Sequence, residues 1–86
     1  MYTENLTVKK AVARYILRKW DHGKRYFTGW EIETAHPDHQ LTGLRKLRKL
    51  AEEYSPDWYA YFYDSESKKY QFWDGFIFWL REHYGK

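Results

Sequence analysis

Apolar residues recur along this chain with a spacing of three to four over most of its length and a spacing of two in one late stretch. Val8, Ala11, Val12, Tyr15, Ile16 and Trp20 fall on one side of a helical wheel and predict a first helix over residues 8–20, with Asn5 or Thr7 as its cap and Gly23 as its stop. Residues 24–27 are short enough for a single small strand or an extended linker. Thr28-Gly29-Trp30-Glu31 then fits a capping box, with Phe27 and Ile32 spaced for a hydrophobic staple. A second helix over 29–35 is expected from there, ended by His36-Pro37 because the residue before a proline avoids the helical region. A loop over 36–41 leads to Thr42, the expected cap of a third helix over 42–54 in which Leu44, Leu47, Leu50, Ala51 and Tyr54 make the apolar face.

The period changes after Ser55-Pro56-Asp57, which is turn chemistry. Residues 58–63 and 69–73 predict two aromatic strands joined across 64–68 as a hairpin. Alternation puts Trp58, Ala60 and Phe62 on one face and Tyr59, Tyr61 and Tyr63 on the other. Asp74 is the expected cap of a last helix over 75–84, with Phe76, Trp79, Leu80 and His83 on one side, Ile77 and Tyr84 widening it, and Phe78 pointing elsewhere. Eighty-six residues make one domain, and five Trp, nine Tyr and five Phe supply a large apolar content for so short a chain.

Charge changes this picture more than composition does. Residues 1–50 carry eleven Lys or Arg against five Asp or Glu, and residues 51–86 carry four against seven. The basic half holds a stripe on the first helix, Lys10, Arg14 and Arg18, at successive four-residue spacing. It also holds the start of the third helix, where Arg45, Lys46, Arg48 and Lys49 precede Glu52 and Glu53. A helix prefers acids at its start and bases at its end, each worth roughly 0.3–1 kcal/mol. The third helix reverses both preferences, and a local rule broken in this way points to function. Cations at a helix start suit a helix inserted end-first into a polyanion.

Several classes drop out. The chain has no cysteine, which excludes disulfides and the cysteine-containing zinc patterns. His36-Pro37-Asp38-His39 crowds three ligand types together, but Pro37 breaks the local helix, and His22, His36, His39 and His83 read as loop and surface residues; no metal or other cofactor is expected. There is no Gly-rich phosphate loop, nucleophile elbow or His-Glu metal helix, so a non-enzyme is expected. Residues 1–6 are polar and the longest apolar runs, 58–63 and 76–80, are too short to span a bilayer, which predicts an intracellular, cytoplasmic protein that does not use a membrane.

The order of elements, with FTGWEI opening the second helix, LTGLRKLRKLAEEY as the third and WYAYFYDSESKKYQFW as a hairpin, resembles the winged helix-turn-helix family over about residues 7–73. The resemblance implies an α+β, mainly helical fold: a three-helix core, a β-hairpin wing and, here, an added C-terminal helix. It implies binding to double-stranded DNA with the third helix in the major groove, so that Thr42, Arg45, Lys46, Arg48 and Lys49 face the groove and Lys68 and Lys69 lie on the wing near the backbone. Lys10, Arg14 and Arg18 are candidate phosphate contacts. The connection over residues 35–41 is longer than the tight turn of the simplest motif, and the wing tip also carries Asp64 and Glu66. A small transcriptional regulator or a phage- or plasmid-type accessory factor would fit.

The aromatic surplus bears on partners. A two-stranded hairpin has one buried face, yet both faces here are aromatic, so either the last helix covers the second face or it is exposed to a partner. Phe76, Trp79, Leu80, His83, Tyr59 and Tyr61 are the candidate residues for a homodimer or protein contact. A dimer would set two DNA half-sites about 34 Å apart. The rival function is a winged-helix adaptor or inhibitor that binds protein and not DNA.

Overall fold

The computed structural model describes residues 3–36, 42–55 and 60–85. The first helix, α1, spans Thr3–Asp21 and therefore starts earlier than expected, with Asn5 and Thr7 inside it and neither as its cap. The polar start of α1 has no apolar period to announce it. Its buried stripe is Val8, Val12, Ala13, Ile16 and Leu17, while Ala11, Tyr15 and Trp20 are only partly covered. The stripe is turned from the expected one because α1 packs against both α3 (Gly43–Tyr54) and α4 (Asp74–Tyr84), with a smaller contact to α2 (Gly29–Glu33). Gly23 stops the helix as expected. Its φ of 95° is left-handed, and its N–H donates to the Trp20 carbonyl at 2.9 Å while the Lys24 N–H donates to that of Lys19 at 3.0 Å. Those two bonds close the helix end in a Schellman arrangement.

A two-residue strand, β1 (Phe27–Thr28), leads into α2 (Gly29–Glu33). Both bonds of the capping box are present: the Glu31 N–H donates to Thr28 Oγ1 at 3.2 Å, and the Thr28 N–H donates to Glu31 Oε2 at 3.0 Å. Phe27 and Ile32, the staple residues, are both wholly buried. α2 ends two residues short of the expected Ala35, where Thr34 closes it with its N–H and its hydroxyl both donating to the Trp30 carbonyl at 3.0 and 2.8 Å. In α3, Leu47 and Leu50 are buried and Leu44, Ala51 and Tyr54 half-buried, as the apolar period requires.

The hairpin is β2 (Tyr61–Asp64) and β3 (Lys69–Phe72), and β1 joins it as a third antiparallel strand in the order β1-β3-β2. Both strands are shorter than expected; Trp58 and Tyr59 lie outside the described residues. The register pairs Tyr61 with Phe72, Tyr63 with Tyr70, and Phe27 with Tyr70. Paired residues share a face, so these rings line one side of the sheet, with Tyr63–Tyr70 centroids 4.7 Å apart and Phe27–Phe72 5.2 Å apart. Phe62, paired with Gln71, is exposed on the other side. Ala60 does not share that exposure: it is buried where the chain bends into β2.

The turn of the hairpin ends at Lys68, the one described residue other than glycine with positive φ, at 60°, and its N–H donates to the Asp64 carbonyl at 2.7 Å. The left-handed conformation costs a side chain roughly 1–2 kcal/mol. Lys68→Gly is expected to raise stability by about 0.5–1 kcal/mol, read as a higher urea midpoint. A lower midpoint would contradict this turn.

Trp73, not Asp74, occupies the cap position of α4, and Asp74 falls in the first turn, where its charge suits the positive helix end. Phe76, Ile77 and Leu80 are buried and close the core against α1. The molecule is thus α+β and mainly helical, with a small three-stranded antiparallel sheet.

Candidate nucleic-acid interface

Burial of Leu47 and Leu50 against the core turns the other side of α3 to solvent. Arg45, Arg48 and Lys49 are exposed there, Lys46 is half-buried, and Thr42 is the N-cap residue without a side-chain cap hydrogen bond. One orphan amide at the start of α3 is served from another element: Glu33, the last residue of α2, accepts from the Leu44 N–H at 2.7 Å. The acid that α3 lacks in its own first turn is therefore supplied through the fold. At the other end Glu53 accepts from the Lys9 ammonium and, at 2.6 Å, from the Tyr84 hydroxyl. Burial works against its charge, but Lys9, Tyr84 and His83 outweigh that and hold its carboxyl below the usual range. The reversed charges of α3 are thus compensated at both ends by tertiary contacts and are not an unrelieved strain. What marks this helix is the exposure of its cations.

The sheet stands beside this basic side. Burial pushes the Tyr70 hydroxyl up, the Tyr61 and Tyr63 hydroxyls push with it, and Arg48 is close enough to act in the opposite direction. Leu44 and Tyr70 also flank Gly29 at the start of α2. Lys68 and Lys69 are exposed at the turn of the hairpin. The acids of the same turn are partly engaged, since Asp64 accepts from the Glu66 N–H at 3.1 Å and from the Ser67 hydroxyl at 2.9 Å.

The stripe on α1 does not join this surface. Lys10, Arg14 and Arg18 are exposed on the side of α1 away from the stripe that packs on α3 and α4, and Arg14 Nε donates to the Tyr84 carbonyl at the end of α4 at 3.3 Å. Arg18 lies over the Tyr15 ring at 5.7 Å. The two basic sets are separate.

The expected partner face is mostly consumed inside the domain. Phe76 and Leu80 are 0% exposed, so neither meets a partner. Trp79 is half-buried, stacked on Phe76 with centroids 6.0 Å apart and set against Tyr54 at 5.9 Å and His83 at 4.8 Å. Tyr61 packs on Tyr70 and Phe72, and Tyr59 lies outside the described residues. Among the described residues, the large apolar side chains that do reach solvent are Tyr26, Trp30, Phe62, Tyr63, Trp73 and Phe78. Helix phase was a usable signal for Phe78, which lies two residues from both Phe76 and Leu80; nothing local marked Trp30.

Two buried-edge pairs tie this arrangement to pH. The Tyr15 hydroxyl donates to Glu31 Oε1 at 2.7 Å, and burial together with that bond pushes it up to about 12; burial and the Glu53 bond do the same to Tyr84. For Glu31, burial opposes ionisation, but the Thr28 amide, the Tyr15 and Thr28 hydroxyls and Lys24 prevail and hold its carboxyl below 4.5. Raised tyrosines contribute stability in full below pH 10 and lose it as pH rises through 12. The lowered glutamates contribute in full above pH 4.5 and lose it as pH falls through their lowered values. Chemical denaturation across pH is expected to show a plateau falling off on both sides. Tyr15→Phe is expected to remove one high-pH step from the tyrosine absorbance titration, since Tyr15 and Tyr84 are both pushed up to about 12. Titration of all tyrosines near 10 would contradict both pairs.

Among the described residues no three His, Cys, Asp or Glu come together as a metal set, and His39 and Asp38 lie outside them. No helix among them is long and apolar enough to cross a membrane. Comparison of the chain with protein families, curated proteins and solved structures finds no match.

Proposed function

We propose that this chain is a winged-helix protein that binds double-stranded DNA, acting as a small transcriptional regulator or a phage- or plasmid-type accessory factor in the cytoplasm. The observation that carries the reading is the placement of three exposed cations, Arg45, Arg48 and Lys49, on the outward side of α3 next to the hairpin. The element order α1-β1-α2-α3-β2-β3 with sheet order β1-β3-β2 supports the same reading. In it, α3 enters the major groove with Thr42 and Lys46 at its leading end, and Lys68 and Lys69 reach the backbone. Arginine can bracket guanine O6 and N7, and each neutralised phosphate releases counterions. Lys10, Arg14 and Arg18 point away from that groove and would meet only a second or strongly bent segment of duplex. No catalytic step is assigned.

The test is fluorescence anisotropy of a labelled duplex across a salt series, beside a single strand of equal length. Preference for duplex with a log–log slope of about −3 to −5 is expected, matching three to five neutralised phosphates. No binding at low salt would overturn the proposal. It would leave the rival, a protein-binding adaptor or inhibitor, favoured by the exposed rings of Trp30, Phe62 and Trp73.

A further inference from the structure

The solvent side of α1 carries a row of cations that the helix does not balance. Lys10, Arg14 and Arg18 stand at successive four-residue steps and are all exposed, and exposed His22 follows at the same spacing just past the helix end. Four residues advance a helix by about 6 Å, so the three cations run along roughly 12 Å of one side. Like charges at this spacing repel, and an acid three or four residues away is the ordinary relief. The sequence provides one such acid, Asp21, three residues beyond Arg18. Both of its carboxylate oxygens are taken by Arg81 of α4, at 2.7 and 3.1 Å. Arg14 is held in the middle of the row by the bond from its Nε to the Tyr84 carbonyl. The cations of α3 face the other way. α1 packs on α3, and the buried stripes of the two helices belong to one core, so each helix turns its cations to solvent on its own side.

We propose that the row on α1 is a second duplex-binding surface and that one copy of the chain thereby bridges two segments of DNA, an inference that rests on the duplex reading of α3. The charges of the row are evenly spaced along a straight helix, as phosphates are along a duplex strand, and neutralising phosphates releases counterions. A helix that lies on a lipid surface turns its apolar side to the lipid, and that side of α1 is spent in the core. One duplex held by α3 would have to turn around a body of 37 × 26 × 23 Å to reach the row, against a persistence length of about 50 nm. A second segment meets the row without that deformation. Backbone contacts carry no sequence information, so the second segment can have any sequence.

The test uses the full chain, one duplex fixed to beads and a second, labelled duplex of unrelated sequence in solution. Salt is set at about 0.15 M, where charges more than about 8 Å apart are largely screened from one another. Labelled duplex is expected on the beads only when the protein is present, and retention is expected to fall again at excess protein, when each duplex is covered separately. Lys10→Gln combined with Arg18→Gln is expected to cut retention at least about tenfold, while affinity for one short duplex stays within about threefold and the circular dichroism melt is unchanged. Arg14 is left in place because it contacts the end of α4. Retention that survives the double variant would overturn the proposal and point to bridging by two joined copies. So would binding of a short duplex with no retention, an outcome that leaves the duplex reading of α3 intact. Retention of phosphatidylserine vesicles in place of labelled duplex would overturn it as well. Absence of duplex binding altogether would overturn both readings.

Discussion

Gly43→Ala is expected to destabilise the domain by about 3 kcal/mol or more, against the ordinary effect of that change in a helix. Replacing glycine by alanine inside an exposed helix stabilises it by up to about 1 kcal/mol. Gly43, however, is buried where the first turn of α3 meets the backbone of α2. A Cβ there would overlap the Ile32 carbonyl oxygen and lie 2.6 Å from the Ile32 carbonyl carbon and 2.9 Å from Glu33 Cα. These are backbone atoms of a helix whose Ile32 is wholly buried, so no side chain can swing aside. Relief requires α3 to move off α2, which breaks the bond from the Leu44 amide to Glu33 and lifts Leu47 and Leu50 from the core. A domain of this size holds roughly 4–13 kcal/mol in all. A urea titration followed by tryptophan fluorescence decides the matter. An unchanged or raised midpoint for Gly43→Ala would show that α3 does not sit on α2 as described.

Arg45→Glu combined with Arg48→Glu is expected to lower duplex affinity by about a hundredfold or more and to make the salt slope shallower by about two units. Both side chains are exposed, so the double reversal leaves the buried Leu47 and Leu50 in place and should not shift the urea midpoint by more than about 0.5 kcal/mol. Under the rival reading, in which an exposed aromatic surface engages a protein, the same variant keeps its partner. Reversal of Lys10 and Arg14 serves as the control, because that stripe faces away from α3. An equal loss from the two pairs would mean that affinity follows net charge alone and that α3 has no special role. Lys68→Gly adds a finer test: it should gain stability while giving up one phosphate contact.

Much of this fold was legible because its signals are local. The capping box of Thr28 and Glu31, the staple of Phe27 and Ile32 and the stop at Gly23 each depend on residues within five positions of one another, the apolar face of α3 repeats every three to four, and all are present. The cations of α3 were equally legible, since the apolar period that buries Leu47 and Leu50 forces Arg45, Arg48 and Lys49 outward. The errors came where distant residues compete. Asp74 lost the cap position to Trp73, whose preceding strand pairs with β2 and sets where α4 can begin.

By itself, then, the sequence determined the order of the helices and the hairpin and which side of α3 turns inward, because short-range hydrogen bonding and hydrophobic period act within a turn or two. Only the tertiary structure decided which aromatic rings stay outside and how α3 tolerates its reversed charges. Phe76 and Leu80 are hidden by α1, while Phe78, on the same helix, is left at the mouth of a groove. Glu33 from α2 caps the cationic start of α3, and Lys9 from α1 with Tyr84 from α4 neutralises its acidic end. Each of those outcomes depends on groups far apart in the chain, for which a local pattern holds no information.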